Sequence, residues 1–198
     1  MPMIRKNLPN LLTLANLSFG VLAILVTSST DKISLNKPGD DISLIYFSCL
    51  FVMAAAVFDR FDGKLARKLD ATSDLGKQLD SLCDLISFGV APAVIAWKLH
   101  FSHASLFFPA GWLIGYLLAL AFPIAGAIRL ARFNLQEDQD CFYGIPITLA
   151  GSVLTLVNLV NTFMFLKMRF SMVNVIVCMV LMALLSILMV SRLQLRKI

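Results

Sequence analysis

The chain has 198 residues, of which 59% are hydrophobic and 15% charged, and its formal net charge is +5. Its mean hydropathy is +0.82. Soluble domains are roughly 45–50% apolar, so the composition excludes an ordinary soluble domain and indicates a membrane protein. We expect membrane lipid, and no nucleic acid, among its partners.

Six apolar segments are long enough to cross a bilayer, since a helical span needs about 20 mostly apolar residues. The predicted spans are 10–28, 42–58, 79–99, 106–128, 146–166 and 171–191. The whole chain, 1–198, is therefore predicted to be one all-α membrane domain, with a short amphipathic segment before the first span. That span lacks a small-residue cleavage site, so we expect it to be retained.

The positive charges are unevenly divided between the two sides of the predicted bundle. With the N-terminus inside, twelve Lys and Arg residues fall on inner segments and five on outer ones. Cytoplasmic loops carry such an excess, which predicts that both termini and the end of the second span lie at the cytoplasmic face. His100 and His103 fall in a short outer loop, where we expect them to be solvated.

The first span carries two polar residues, Thr13 and Asn16, in an otherwise apolar stretch. One interpretation is that they face a cavity and contact a substrate. The alternative is a hydrogen bond within the helix or to a neighbouring helix.

Four aspartates lie where the second span ends and the third begins. Asp59 and Asp62 are three residues apart, and Asp80 and Asp84 are four apart. On helices each pair shares one face, so a helical hairpin with a turn before Ser73 brings all four carboxylates together. Such a cluster requires counterions, and hard oxygen ligands suit Mg²⁺, Mn²⁺ or Ca²⁺. The pattern predicts a metal site, with Mg²⁺ or Mn²⁺ bound as two ions.

Small and cationic residues follow the first pair of aspartates. Gly63 weakens a helix by about 1 kcal/mol relative to Ala, so its presence indicates that something bulky approaches the backbone. Ala66 is also small, and Arg67 offers a guanidinium suited to a phosphate oxygen. Metals, small residues and an arginine together predict a diphosphate site, where two metals stabilise both oxygens of an in-line displacement.

The stretch after the fourth span contains Arg129, Arg132 and Asn134. The two arginines share one helical face, and we predict that they bind a substrate carboxylate through paired donors, with Asn134 adding a neutral contact. The alternative is that both arginines are ordinary anchors on the positive side of the membrane.

The aspartates stand in the frame D-x-x-D-G-x-x-A-R, eight residues, then G-x-x-x-D-x-x-x-D, between Asp59 and Asp84. This frame resembles the CDP-alcohol phosphotransferase signature at every fixed position, with a motif core at 59–92. The resemblance implies a fold of about six helices and transfer of a phosphate-containing group from a CDP-linked donor to an alcohol, releasing CMP. It further implies metal ligation by the four aspartates, a catalytic-base role for Asp84, and a nucleotide and diphosphate path lined by Gly63, Ala66, Arg67 and Gly76.

Neighbouring residues are similar to the branch of that family that forms phosphatidylserine. They are Ser81 after the third aspartate, the stretch SFGVAP at 87–92, RLARFN at 129–134 and FYGIP at 142–146; Ile147-Thr148 departs from the usual Thr-Pro. The similarity implies CDP-diacylglycerol and L-serine as substrates, in a prokaryotic cell membrane.

The same residues leave two alternative functions open and also bear on the oligomeric state. One alternative is a family member that uses glycerol 3-phosphate or inositol phosphate as acceptor. Phosphatidylglycerophosphate synthases tend to have proline after the third aspartate and lysine after the fourth, where this chain has Ser81 and Leu85. A cation transporter would place its carboxylates near the bilayer midplane. The resemblance also implies a homodimer, for which the small residues Gly111, Gly115 and Ala119 form a candidate stripe, unless they pack within one protomer.

Overall fold

The computed structural model describes residues 2–30, 40–69, 73–101, 111–135, 141–191 and 194–196. Seven α-helices are present in these ranges: α1 Pro2–Ser29, α2 Asp40–Lys68, α3 Asp74–Asp84, α4 Ala91–Leu99, α5 Gly111–Leu135, α6 Ile147–Leu166 and α7 Met172–Val190. A π-helix, Leu85–Val90, joins α3 directly to α4. Two short strands, β1 Cys141–Tyr143 and β2 Gln194–Arg196, pair antiparallel.

Six helical segments are long and apolar enough to cross a membrane, which confirms the predicted fold class. The third consists of α3, the π-helix and α4, which run together from Asp74 to Leu99. In this segment 56% of the most apolar window is buried, compared with 28–44% in the other five. The third span is therefore the central element of the bundle, and the other helices pack around it.

Several helices extend beyond the predicted spans, since α2 continues to Lys68, past 58, and the third span begins at Asp74 rather than at 79. Helix α1 begins at Pro2, so the predicted amphipathic segment is the first part of that helix, and Pro9 lies inside it. Helix α5 continues to Leu135, seven residues beyond the predicted end at 128. The extension has a physical basis, since RLARFNL contains no proline or glycine that would end the helix.

Small residues let the helices approach the central span closely. A Cβ added to Gly20 would contact Ser87, and one added to Gly151 would contact the backbone of Phe88. Gly115 faces Phe101 in the same way, and Gly111 is also buried within the protomer. These two glycines of the predicted stripe therefore pack internally, and the homodimer stays a prediction.

His100 is fully buried rather than solvated, which corrects the expectation for this residue. Helix α4 carries it to the C-terminal cap, where its ring stacks on Phe170 with 5.5 Å between centroids. His103 lies outside the described residues. Cys49, Cys83 and Cys178 are buried free thiols, and buried cysteines of this kind pack as small apolar side chains.

Candidate metal and substrate site

The predicted hairpin of α2 and α3 brings three aspartates together. Asp59 and Asp62 on α2 and Asp80 on α3 each offer a carboxylate oxygen, and these oxygens all lie within 4.8 Å of one another. Ser73 is the N-cap of α3, because its Oγ accepts a hydrogen bond from the Gly76 amide at 3.1 Å. The residues of the turn itself, 70–72, lie outside the described residues. The cap and the helical spacing thus direct Asp80 towards the α2 pair.

The fourth aspartate occupies a more enclosed position than the other three. Asp84 is 7% exposed, and its Oδ1 is buried without a hydrogen-bond partner among the described residues. Its side chain lies within hydrogen-bonding reach of Asp59. The π-helix begins at the next residue, Leu85, and π-helical turns inside α-helices occur frequently at functional sites. Asp84 therefore has a free oxygen in a dry environment, beside the carboxylate cluster.

Helix α1 contributes a polar face to the same end of the bundle. Thr13 lies 2.9 Å from Asp62, and its Oγ1 can donate to the carboxylate Oδ2 or to the Pro9 carbonyl at 3.1 Å. Asn16 is fully buried, and neither side-chain atom has a hydrogen-bond partner in the described part of the chain. Its backbone carbonyl accepts a hydrogen bond from Ser87 Oγ at 3.1 Å. Buried polar groups are normally paired, so the orphan amide is a candidate ligand contact.

Asn10 belongs to this face, although it was not among the predicted site residues. A Cβ on Gly76 would lie 3.2 Å from Asn10 Oδ1 and 3.1 Å from Ser73 Oγ, so α1 approaches the first turn of α3 closely there. Asn10, Thr13 and Asn16 recur every three residues, and this spacing is the signal in the sequence that would have found Asn10.

The residues after Asp62 are placed only in part. A Cβ on Gly63 would have no neighbour within 4 Å, so packing inside the protomer does not require glycine at this position. The space beside the α2 backbone is open, as the predicted approach of a phosphate needs. Ala66 and Arg67 belong to α2, but their side chains lie outside the described residues.

The two predicted arginines on α5 have different surroundings. Arg129 is half-buried and its guanidinium lies over the Phe133 ring, 5.5 Å from the centroid. Its Nε is buried without a partner among the described residues, and its charge interacts with that of Asp84. Arg132 instead donates from Nη1 to the Val190 carbonyl at 2.9 Å, at the end of α7. Arg129 therefore lies towards the end of the bundle that carries the four aspartates, here called the carboxylate end. Arg132 instead connects α5 to α7.

Asn134 joins α5 to α3 through side-chain contacts. Its Nδ2 donates to Ser81 Oγ at 3.0 Å and to Gln78 Oε1 at 3.2 Å. Ser81 follows Asp80 directly, so these bonds hold the third aspartate against α5. A contact with an amino-acid substrate would have to compete with both bonds.

The donor set fits a divalent metal. Three carboxylates offer oxygens at close range, and a fourth carries a buried, unpartnered oxygen. No described Lys or Arg forms an ion pair with the three clustered aspartates. Like charges held this closely require a cation, and carboxylate oxygens without His or Cys suit Mg²⁺, Mn²⁺ or Ca²⁺.

Comparison with known proteins identifies the family to which this protein belongs. The sequence model of the CDP-alcohol phosphatidyltransferase family matches residues 6–190. The chain belongs to this family. The match covers all six membrane-length helices apart from the first residues of α1. Members of the family are generally dependent on divalent metals, which agrees with the acidic cluster.

Several relatives carry a more specific name. The CDP-diacylglycerol–serine O-phosphatidyltransferase of Bacillus subtilis is 40% identical over 115 residues, covering 58% of this chain and 61% of the relative. The Helicobacter pylori protein of the same name is 36% identical over 166 residues, covering 80% and 60%. An archaetidylserine synthase of Methanothermobacter thermautotrophicus is 36% identical over 176 residues, covering 87% and 66%. The chain thus spans about three-fifths to two-thirds of the length of these relatives.

Proposed function

We propose that this protein transfers the phosphatidyl group of CDP-diacylglycerol to L-serine, forming phosphatidylserine and CMP. The observation that carries the proposal is the buried Asp84, with a free oxygen beside three clustered aspartates and within the field of Arg129. Relatives named for this reaction, at 36–40% identity, support the choice of substrates.

We assign the metal site to Asp59, Asp62, Asp80 and Asp84, holding two ions of Mg²⁺ or Mn²⁺. The first three already lie within 4.8 Å of one another, and Asp84 joins them through its contact with Asp59. When bound, the ions supply positive charge to the diphosphate and to the departing CMP. Thr13 fixes one oxygen of Asp62 through the 2.9 Å hydrogen bond, leaving the other oxygen for ligation.

Asp84 is the proposed general base. The hydroxyl oxygen of serine forms a bond to the lipid-side phosphorus, the bond from that phosphorus to the CMP oxygen breaks, and the hydroxyl proton passes to Asp84. A base must lie within hydrogen-bond reach of the proton that it accepts. Asp84 Oδ1 is the buried carboxylate oxygen without a partner among the described residues. Asp84 is 7% exposed, and such burial limits the access of water to the base.

Arg129 is the proposed anchor for the serine carboxylate. Its guanidinium lies between Phe133 and the carboxylate end, with Nε unpartnered in the described part of the chain. A guanidinium binds a carboxylate through two parallel donors. Arg132 and Asn134 remain candidates for the same substrate, although both already bond to neighbouring helices.

The donor lipid is proposed to lie along α1 and the start of α3. Thr13, Asn16 and Gly76 face this space with Asn10, while Gly63, Ala66 and Arg67 follow the aspartates on α2. The orphan amide of Asn16 offers both a donor and an acceptor, so a ligand there satisfies a group that the protein leaves unpaired.

The proposal includes the location and assembly of the protein. The chain functions as a single domain, 1–198, in a prokaryotic cell membrane. The site and both termini lie at the cytoplasmic face, and the protein is a homodimer. A phosphatidylglycerophosphate or phosphatidylinositol phosphate synthase is the alternative within the family. Such acceptors carry a phosphate and require more cationic groups than Arg129 and Arg132 provide. A transporter is disfavoured by membership of a transferase family.

The test is CMP release by the purified protein with CDP-diacylglycerol and a panel of acceptors. L-serine should support release, whereas glycerol 3-phosphate and inositol phosphate should not, and chelation of divalent metal should abolish it. Release with glycerol 3-phosphate alone would keep the family chemistry and overturn the serine assignment. No release with any acceptor would overturn the proposal as a whole.

A further inference from the structure

Two apolar grooves lie side by side on the outer face of α2, separated by Phe61. The first has a volume of about 340 Å³, runs between α2 and α6, and is lined by Val52, Met53, Val57 and Leu156 among others. The second has a volume of about 280 Å³ and lies between α1 and α2. Phe61 lines both grooves and is 59% exposed. The ridge and its two grooves have the shape of a site for a ligand with two apolar chains.

The two hydroxyl groups that line the first groove need no hydrogen bond from a ligand. Ser152 Oγ donates to the Thr148 carbonyl at 2.7 Å, and Thr155 Oγ1 donates to the Gly151 carbonyl at 2.8 Å. Both hydroxyls are therefore satisfied within α6. At 1.5 Å per residue along α2, the groove extends about 18 Å from Lys64 down to Val52. A mostly apolar groove of this length on the exposed face of α2 suits an acyl chain.

Three cations stand where these grooves reach the C-terminal part of α2, at a spacing of four residues. Arg60 and Lys64 line the first groove, and Lys64 and Lys68 line the second. All three side chains are exposed, and within the described residues none forms an ion pair. Residues four apart share a helical face, so the cations form one stripe above the Phe61 ridge.

The cationic stripe and the aspartates occupy different sides of α2. At 100° per residue, the mean direction of Arg60 and Lys64 is about 150° from that of Asp59 and Asp62. A phosphate on the stripe is consequently not the diphosphate that the carboxylate cluster binds. The stripe is therefore available to a second anionic molecule.

We infer that this face of α2 binds one resident anionic diacyl phospholipid, distinct from the CDP-linked donor. Its phosphate contacts Arg60, Lys64 and Lys68, and its two chains lie on either side of Phe61. Charge complementarity decides between lipids, because a zwitterionic headgroup leaves the three cations without net counter-charge. Each Lys or Arg near an anionic headgroup contributes roughly fivefold in affinity. The site goes beyond the proposed function and does not depend on it.

The test is lipid retention by the purified protein, measured by native mass spectrometry after delipidation and titration with phosphatidylglycerol or phosphatidylethanolamine. Wild type should bind one phosphatidylglycerol at least about tenfold more tightly than phosphatidylethanolamine, and Arg60→Gln/Lys64→Gln/Lys68→Gln should lose this preference. The matched control is Lys167→Gln/Arg169→Gln, which removes exposed cations at the other end of the bundle and should retain the preference.

A single-residue variant and a displacement experiment provide two further tests of the lipid site. If the triple variant does not fold, Lys64→Gln alone serves, because this side chain lines both grooves; its preference should fall by roughly fivefold. Equal binding of the two lipids by wild type, or an unchanged preference in the Lys64 variant, overturns the inference. So does stoichiometric displacement of phosphatidylglycerol by CDP-diacylglycerol, which would assign the grooves to the donor.

Discussion

Polar residues are buried at both ends of this helical bundle, but the two ends treat them differently. At the carboxylate end, Asn16 and Asp84 keep buried atoms that no described residue satisfies. Near the opposite end, Asn174 Nδ2 donates to Asn161 Oδ1 at 2.8 Å, and Asn161 Nδ2 lies 3.5 Å from His100 Nε2. The carboxylate end leaves hydrogen-bonding capacity open on both residues, whereas the opposite end mostly uses it to join α4, α6 and α7, with Asn158 Oδ1 on α6 as an exception that no described residue satisfies.

This difference in hydrogen bonding distinguishes buried polar side chains that are available to a ligand from those that stabilise the packing of the helices. An unpaired buried polar group costs free energy, and it persists when something outside the protein completes it. A polar chain between helices instead stabilises packing, because apolar helices gain little from association in lipid. Substitutions at the two ends should therefore affect different measurements.

The largest expected effect is the loss of a clustered aspartate. Asp59→Ala, Asp62→Ala and Asp80→Ala should each reduce CMP release by more than about tenfold, because the metal pair loses a shared ligand. The control is Asp74→Ala, since Asp74 lies exposed in the first turn of α3, outside the cluster. Elution of each variant as wild type in size-exclusion chromatography excludes misfolding. Near-normal turnover in any of the three would remove that residue from the site.

The next effect concerns the buried fourth aspartate. Asp84→Asn keeps the shape and removes the basicity, so turnover should fall about 10²-fold or more, the usual contribution of a general base. Equilibrium binding of CDP-diacylglycerol should largely survive. A variant with near-normal turnover would contradict this role, and a phosphatidyl group trapped on any side chain would contradict direct attack by serine.

A comparison of the two arginines sharpens the distinction within α5. Arg129→Lys should raise the serine KM by about tenfold while leaving the donor KM unchanged, since lysine does not reproduce the paired donors. Arg132→Lys should chiefly lower thermal stability, because the 2.9 Å bond to the Val190 carbonyl is lost. Equal increases in both KM values for Arg129→Lys would indicate a general structural role instead.

The smallest effect is expected at the opposite end. Asn174→Ala removes the bond to Asn161, and interhelical hydrogen bonds in membranes contribute about 0.6 kcal/mol on average. The Tm in detergent should therefore decrease slightly, with kcat and both KM values unchanged. A loss of turnover without a loss of stability would show that the two ends are coupled.

Much of the fold and part of the site followed from patterns in the chain. Six apolar segments predicted six membrane-length helices, because hydrocarbon thickness sets the length of a span. The spacing of Asp59, Asp62 and Asp80, with the Ser73 cap, predicted the facing pairs that the structure contains. These features are local, so helical periodicity and capping preferences are sufficient to determine them.

Contacts between distant helices required the tertiary structure. The sequence alone did not indicate that Asn10 lies against Gly76, that Arg132 caps α7, or that His100 is buried. Nor did it indicate the π-helix after Asp84. Each depends on side chains remote in sequence, whose distances are set by how closely the glycines let the helices approach. Residue spacing identified the carboxylates, whereas helix packing decided which of their oxygens remain free for a substrate.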